Sequence, residues 1–125
     1  MDESDAPVLD ATVLSELSGS VGGDREFVVE LIRTFLSDGA EQVEAIDAAV
    51  AAGDDRALVR PAHTLKSSSA TLGASRVSAT ARTLEMAGRS GSLGASVAED
   101  VESLHAEWEA AASALLAWSA EGERS

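Results

Sequence analysis

Apolar residues along this chain recur at steps of three and four, and no stretch keeps the two-residue rhythm of a half-buried strand. A short first helix is predicted to start at Asp10 as N-cap, with Val13, Leu14 and Leu17 on its apolar side. A loop from Gly19 to Gly23 follows, and Asp24 caps a long second helix. Phe27, Val28, Leu31, Ile32, Phe35, Val43, Ile46 and Val50 make its stripe; Gly39 weakens or bends its middle, and Gly53 ends it. The third helix runs from Asp54 or Asp55 to Leu72 and stops at Gly73, burying Leu58, Ala62, Leu65, Ser69 and Leu72. Pro61 removes one helical hydrogen bond there, which predicts a kink or a helix whose regular part begins at the proline. A fourth helix covers Ser75 to Gly88 with Val77, Ala81 and Leu84 inward, and Ser90-Gly91-Ser92 closes it. The fifth carries a heptad seam of Val97, Val101, Leu104, Trp108, Ala111, Leu115 and Trp118.

Four amphipathic helices with short connections and one small leading helix predict an all-α, antiparallel up-down four-helix bundle. The chain reads as one domain over residues 1–125, with its core at about 9–120 and frayed ends. Scarce aromatics (Phe27, Phe35, Trp108, Trp118) and abundant alanine agree with closely packed helices. The absence of cysteine excludes disulfides and zinc–thiolate sites. No stretch has the apolar length of a membrane span, and the start, Met1-Asp2-Glu3-Ser4-Asp5, is acidic where a signal peptide is basic. A cytoplasmic monomer without membrane contact is expected.

Charge sharpens this picture through its distribution. The net charge of −13 disfavours binding to nucleic acid. Yet Arg56, Arg60, Lys66, Arg76, Arg82 and Arg89 face one acid, Glu85, between residues 56 and 93, a local +5. The remainder holds 3 basic and 21 acidic residues, or −18. Such a window is either chance clustering on a solvated face or a surface that handles an anion.

His63 lies in that window. On a helix it sits about 200° from Leu65, outside the apolar stripe, so it should face solvent. Arg60, Lys66 and Ser67 are its neighbours at i−3, i+3 and i+4, with Arg56 two turns back. An exposed imidazole among cations and small hydroxyls suits phosphoryl chemistry. The neutral ring is nucleophilic near neutral pH, cations hold phosphoryl oxygens, and small residues such as Ser67 and Ser68 admit a partner's active site. From spacing and charge alone, an ordinary surface histidine is the commoner outcome.

The run Ala62-His63-Thr64-Leu65-Lys66-Ser67-Ser68-Ser69-Ala70-Thr71-Leu72-Gly73-Ala74 resembles the signature of histidine-containing phosphotransfer (Hpt) domains, without a gap. In that family the pattern is His, any residue, Leu, Lys, a small Gly or Ser, two Ser-like positions and a later Gly-Ala. The likeness covers nearly all of the chain beyond its first twenty or so residues. It implies that His63 is the phosphoacceptor and Lys66 a phosphoryl-binding lysine. It also implies that the partner approaches over Ser67; the small Ser68 leaves room beside it, and the charge window adds Arg60 and Arg56 to the approach face. Ser67 departs from the Gly of many members. Glu85 falls where the family often has a Gln that hydrogen-bonds the imidazole, and a carboxylate there acts on the ring against the cations. Arg89 either helps to orient the ring through Glu85 or forms an ordinary i,i+4 pair with it. The implied partner is a receiver (response-regulator) domain or a hybrid histidine kinase. The domain itself is expected to need no cofactor or metal, with magnesium on the receiver.

Other classes fit less well. A kinase needs a nucleotide site, and no Walker-type loop or kinase signature is present, so a phosphocarrier without ATP chemistry is expected. His105, near Glu102 and Glu109, has metal-like spacing but no third ligand. A bundle metalloprotein needs inward carboxylates and histidines, where the positions predicted inward are apolar apart from Ser69. The remaining alternative is a helical adaptor of the same fold that binds a signalling partner without phosphotransfer.

Overall fold

The computed structural model describes residues 8–20, 25–91 and 93–123, and they form five helices in chain order. These are α1 (Ala11–Ser20), α2 (Arg25–Ala51), α3 (Asp55–Thr71), α4 (Ser75–Arg89) and α5 (Val97–Glu123). Among the described residues there is no strand. The Asp10 side chain accepts from the Thr12 backbone N–H at 3.0 Å, and that of Asp54 from Ala57 N–H at 3.1 Å. Each satisfies a donor that the first turn of its helix leaves free.

In the bundle α2 packs on α3, α3 on α4, α4 on α5, and α5 back on α2, while α1 lies against α2. The contact between α3 and α4 is the most extensive. All five helices feed one core: Leu14, Ile32, Ile46, Leu58, Leu65, Leu84, Leu104 and Leu115 are sealed from solvent. Each such side chain contributes roughly 1.5–3 kcal/mol of burial. Among the described residues no helix is long and apolar enough to cross a membrane.

Several expectations are corrected. Gly19 and Ser20 belong to α1, so helix occupies the start of the stretch expected as loop. The rest of that loop and the Asp24 cap lie outside the described residues, as do residues 1–7 and 124–125 of the ends expected to fray. Phe27 stands 47% exposed, because it lies about 100° round the helix from Val28 at the stripe's centre. α3 is one continuous helix from Asp55, and its regular part does not wait for Pro61, which is buried within it. Trp108 and Trp118 are half-buried, packed against the core rather than inside it.

Gly39 has a tertiary reason. A Cβ there would overlap the Trp108 ring, which also meets Phe35 at 5.1 Å between centroids. Gly73, at φ +80°, turns the chain between α3 and α4 where the start of α1 docks: its carbonyl accepts from Asp10 N–H at 2.7 Å. Gly88 sets the approach of α4 to α3, since a Cβ would lie 2.9 Å from both the Asp55 carbonyl oxygen and Val59 Cγ2. Gly88→Ala should gain about 1 kcal/mol of helix propensity and lose about 1–3 kcal/mol to overpacking. Urea unfolding is expected to show a net loss of up to about 2 kcal/mol; a stabilised variant would mean the two helices can move apart freely.

Candidate functional site

The α3–α4 contact carries the chemistry-bearing side chains. His63 projects from the middle of α3 with 53% of its side chain exposed, as its position outside the Leu58–Leu72 stripe requires. Facing it from α4 is Glu85, whose side chain is only 5% exposed. The Glu85 carboxylate meets three partners. Its Oε2 lies 2.8 Å from His63 Nδ1 and accepts from Arg89 Nε and Nη2 at 2.9 and 2.8 Å. Its Oε1 pairs with Lys66 Nζ at 2.7 Å. The Ser78 hydroxyl of α4 donates to the Lys66 carbonyl at 2.8 Å, pinning the two helices one turn from the histidine.

Electrostatics follow from this geometry. The Lys66 ammonium, joined by Arg89 and the His63 ring, holds the Glu85 carboxyl at about 2 against an ordinary 4.5, although burial pulls the other way. An ionised carboxylate only accepts, so the hydrogen between it and the ring belongs to Nδ1. His63 Nε2 is then the nitrogen with the free lone pair, and it makes no hydrogen bond among the described residues.

The remaining candidates surround this centre. Arg56, Arg60 and Ser67 are exposed along the same side of α3, and the two arginines form no ion pair among the described residues. Ser68 is half-buried, its hydroxyl donating to the Leu65 carbonyl at 3.3 Å. It lines a groove of about 280 Å³ between α2 and α3, with Leu31, Phe35, Asp38, Thr64 and Thr71. Lys66 therefore sits on the carboxylate, where the sequence led to a lysine aimed at an incoming anion. Arg89 both pairs with Glu85 at i,i+4 and shares the oxygen that holds the ring. His105 pairs across to Asp47 of α2 at 2.8 Å, not with Glu102 or Glu109. Among the described residues no three metal-ligating side chains gather. Ser78 was missed by sequence reasoning; its place two turns before Glu85 on the same face was the available signal.

The Hpt domain family pattern matches residues 30–118, most of the chain. This chain belongs to the Hpt domain family. Its members are phosphocarrier modules of two-component phosphorelays and not kinases, and that role in signalling is the one this Hpt domain shares. The fold agrees with a solved structure, histidine-containing phosphotransfer protein B (HptB) from Pseudomonas aeruginosa. The two align at a TM-score of 0.83 with 27% identity, over 94% of this chain and 98% of that one. A search of curated proteins gave no match.

The lowered pKa of Glu85 carries a stability prediction for this Hpt domain. The ion pairs contribute in full above pH 4.5 and are lost as pH falls from there through about 2. Thermal unfolding should show a steeper loss of stability across that window in the wild type than in Glu85→Gln. Parallel acid profiles would mean that the carboxylate is no better held in the folded state than in the unfolded one.

Proposed function

We propose that His63 is the phosphoacceptor, and that it exchanges a phosphoryl group with the aspartate of a receiver domain. The observation that carries this is the state of the ring: Nδ1 is tied to a buried carboxylate while Nε2 is free on an exposed helix face. The Nε2 lone pair attacks the phosphorus of the receiver's aspartyl phosphate. The P–O bond breaks, and its electron pair returns to the aspartate. Lys66, one turn away and 31% exposed, is within the reach of a flexible side chain to meet the new phosphoryl oxygens. This chain supplies the nucleophile and its surroundings, and the receiver brings the magnesium such transfer uses.

The partner approaches over Ser67 and Ser68, beside the α2–α3 groove, and the exposed Arg56 and Arg60 attract its acidic active site. The domain acts as a soluble monomer, and residues 1–125 work as one unit.

Two outcomes are expected. His63→Gln should abolish acid-labile labelling from a phosphorylated receiver and leave the circular dichroism unchanged. Labelling that persists would place the acceptor elsewhere, and a wild type that binds receivers without labelling would be a helical adaptor. Ser67→Trp should block transfer sterically, whereas reversing Arg56 and Arg60 to Glu should slow association mainly at low salt, where charges are least screened. Stopped-flow transfer across ionic strength distinguishes the two; a wild-type rate for Ser67→Trp would move the docking face.

A further inference from the structure

Toward the start of α3, away from the histidine, the α3–α4 seam opens into a second cavity. It measures about 490 Å³ and is lined by Asp55, Arg56 and Val59 of α3 and by Gly88, Arg89 and Gly91 at the end of α4. A space of that size takes a small organic ligand. Neither glycine has a side chain to fill it, and Gly91, at φ +75°, turns the chain just past the end of α4.

The charged groups in this cavity are not spent on one another. Arg56 is exposed and Asp55 half-buried, and neither forms an ion pair among the described residues, although they are neighbours along α3. The Asp55 carboxylate reaches toward Gly91 on the facing wall, where an added Cβ would lie 3.5 Å from Oδ2. Arg89 turns Nε and Nη2 to Glu85, and its Nη1 makes no hydrogen bond among the described residues. Two guanidinium groups therefore offer open donors to the same space, and arginine takes phosphate oxygens through paired donors of this kind. Asp55 narrows the ligand further. A bare anion meets it as a repelling charge, whereas a phosphate joined to hydroxyl groups can donate to it, because an ionised carboxylate only accepts. We propose that this cavity binds a phosphate ester of a sugar or nucleoside, with the phosphate on Arg56 and Arg89 and a hydroxyl group on Asp55. Arg56 is also one of the cations that attract the receiver, so ligand and receiver compete for it. That consequence rests on the phosphoacceptor reading above; the site itself does not.

The test is calorimetric titration of the full chain at low salt, where exposed charges are least screened. The probes are ribose 5-phosphate, AMP, inorganic phosphate and ribose. At least one ester should bind about tenfold more tightly than inorganic phosphate, and ribose should not bind. AMP binding more tightly than ribose 5-phosphate assigns the ligand to nucleotides; otherwise it is a sugar phosphate. Arg56→Gln should weaken ester binding about tenfold, the low end for one charge-assisted contact. Asp55→Ala should remove the preference for ester over inorganic phosphate, with circular dichroism confirming that both variants fold. Failure of both esters to bind the wild type overturns the proposal. So does inorganic phosphate binding as tightly as the esters, which would be nonspecific charge attraction, and both readouts stand if a variant fails to fold. Folded variants that bind like the wild type overturn it as well. Saturating ester should also slow association with a phosphorylated receiver at low salt. An unchanged rate would remove the competition, and a complete lack of transfer would remove the phosphoacceptor reading while the titrations still decide the site.

Discussion

A carboxylate shut away from water must be met by cations and hydrogen bonds, or it takes up a proton instead. Glu85 is met three times over, by Lys66 and His63 from α3 and by Arg89 from its own helix. Two of these partners sit across the α3–α4 seam, so the charge is satisfied only when the two helices lie at one separation and one register. Gly88 allows that separation, and the Ser78 bond to the Lys66 carbonyl fixes the register near the histidine. The core then locks the pair: Leu58, Ala62 and Leu65 on one helix and Val77, Ala81 and Leu84 on the other are buried.

This arrangement reconciles rigidity with exposure. A nucleophile that must meet another protein has to stand in solvent, where a lone side chain would sample several rotamers and either tautomer. His63 keeps half its surface in water while one ring nitrogen is anchored to a carboxylate that is itself buried and ion-paired. The phosphocarrier role of the Hpt family asks for that combination, since the chemistry is shared with a partner and the carrier supplies mainly an oriented ring.

Much of this was legible in the amino-acid sequence. Steps of three and four placed the helices of the bundle, because helix-forming periodicity and burial are properties of neighbours along one chain. The α3 stripe from Leu58 to Leu72, including a small polar Ser69, is buried as its spacing required. The outward position of His63 followed from the same angle arithmetic, and the charge window from counting. Local rules failed where a distant residue intervened. Gly39 is where it is because of the Trp108 ring, and the buried Pro61 is tolerated within a helix that begins at Asp55.

The sequence by itself determined which residues would form helices, which faces would be buried, and that one exposed histidine would stand among cations. Those outcomes depend on side-chain chemistry repeated at a fixed period, and a single strand of text contains the period. Only the tertiary structure decided that Lys66 turns to Glu85 rather than outward, and that the Glu85 carboxylate is buried in the α3–α4 seam where it meets both the lysine and the ring. Residues 63 and 85 are far apart along the chain, and a one-residue change in the register of α3 against α4 would separate them. The turn at Gly73, the close approach at Gly88 and the buried faces of both helices choose that register together. Attraction between buried charge and its partners falls off over a few ångströms, so the chemistry of the ring depends on a packing that no local pattern encodes.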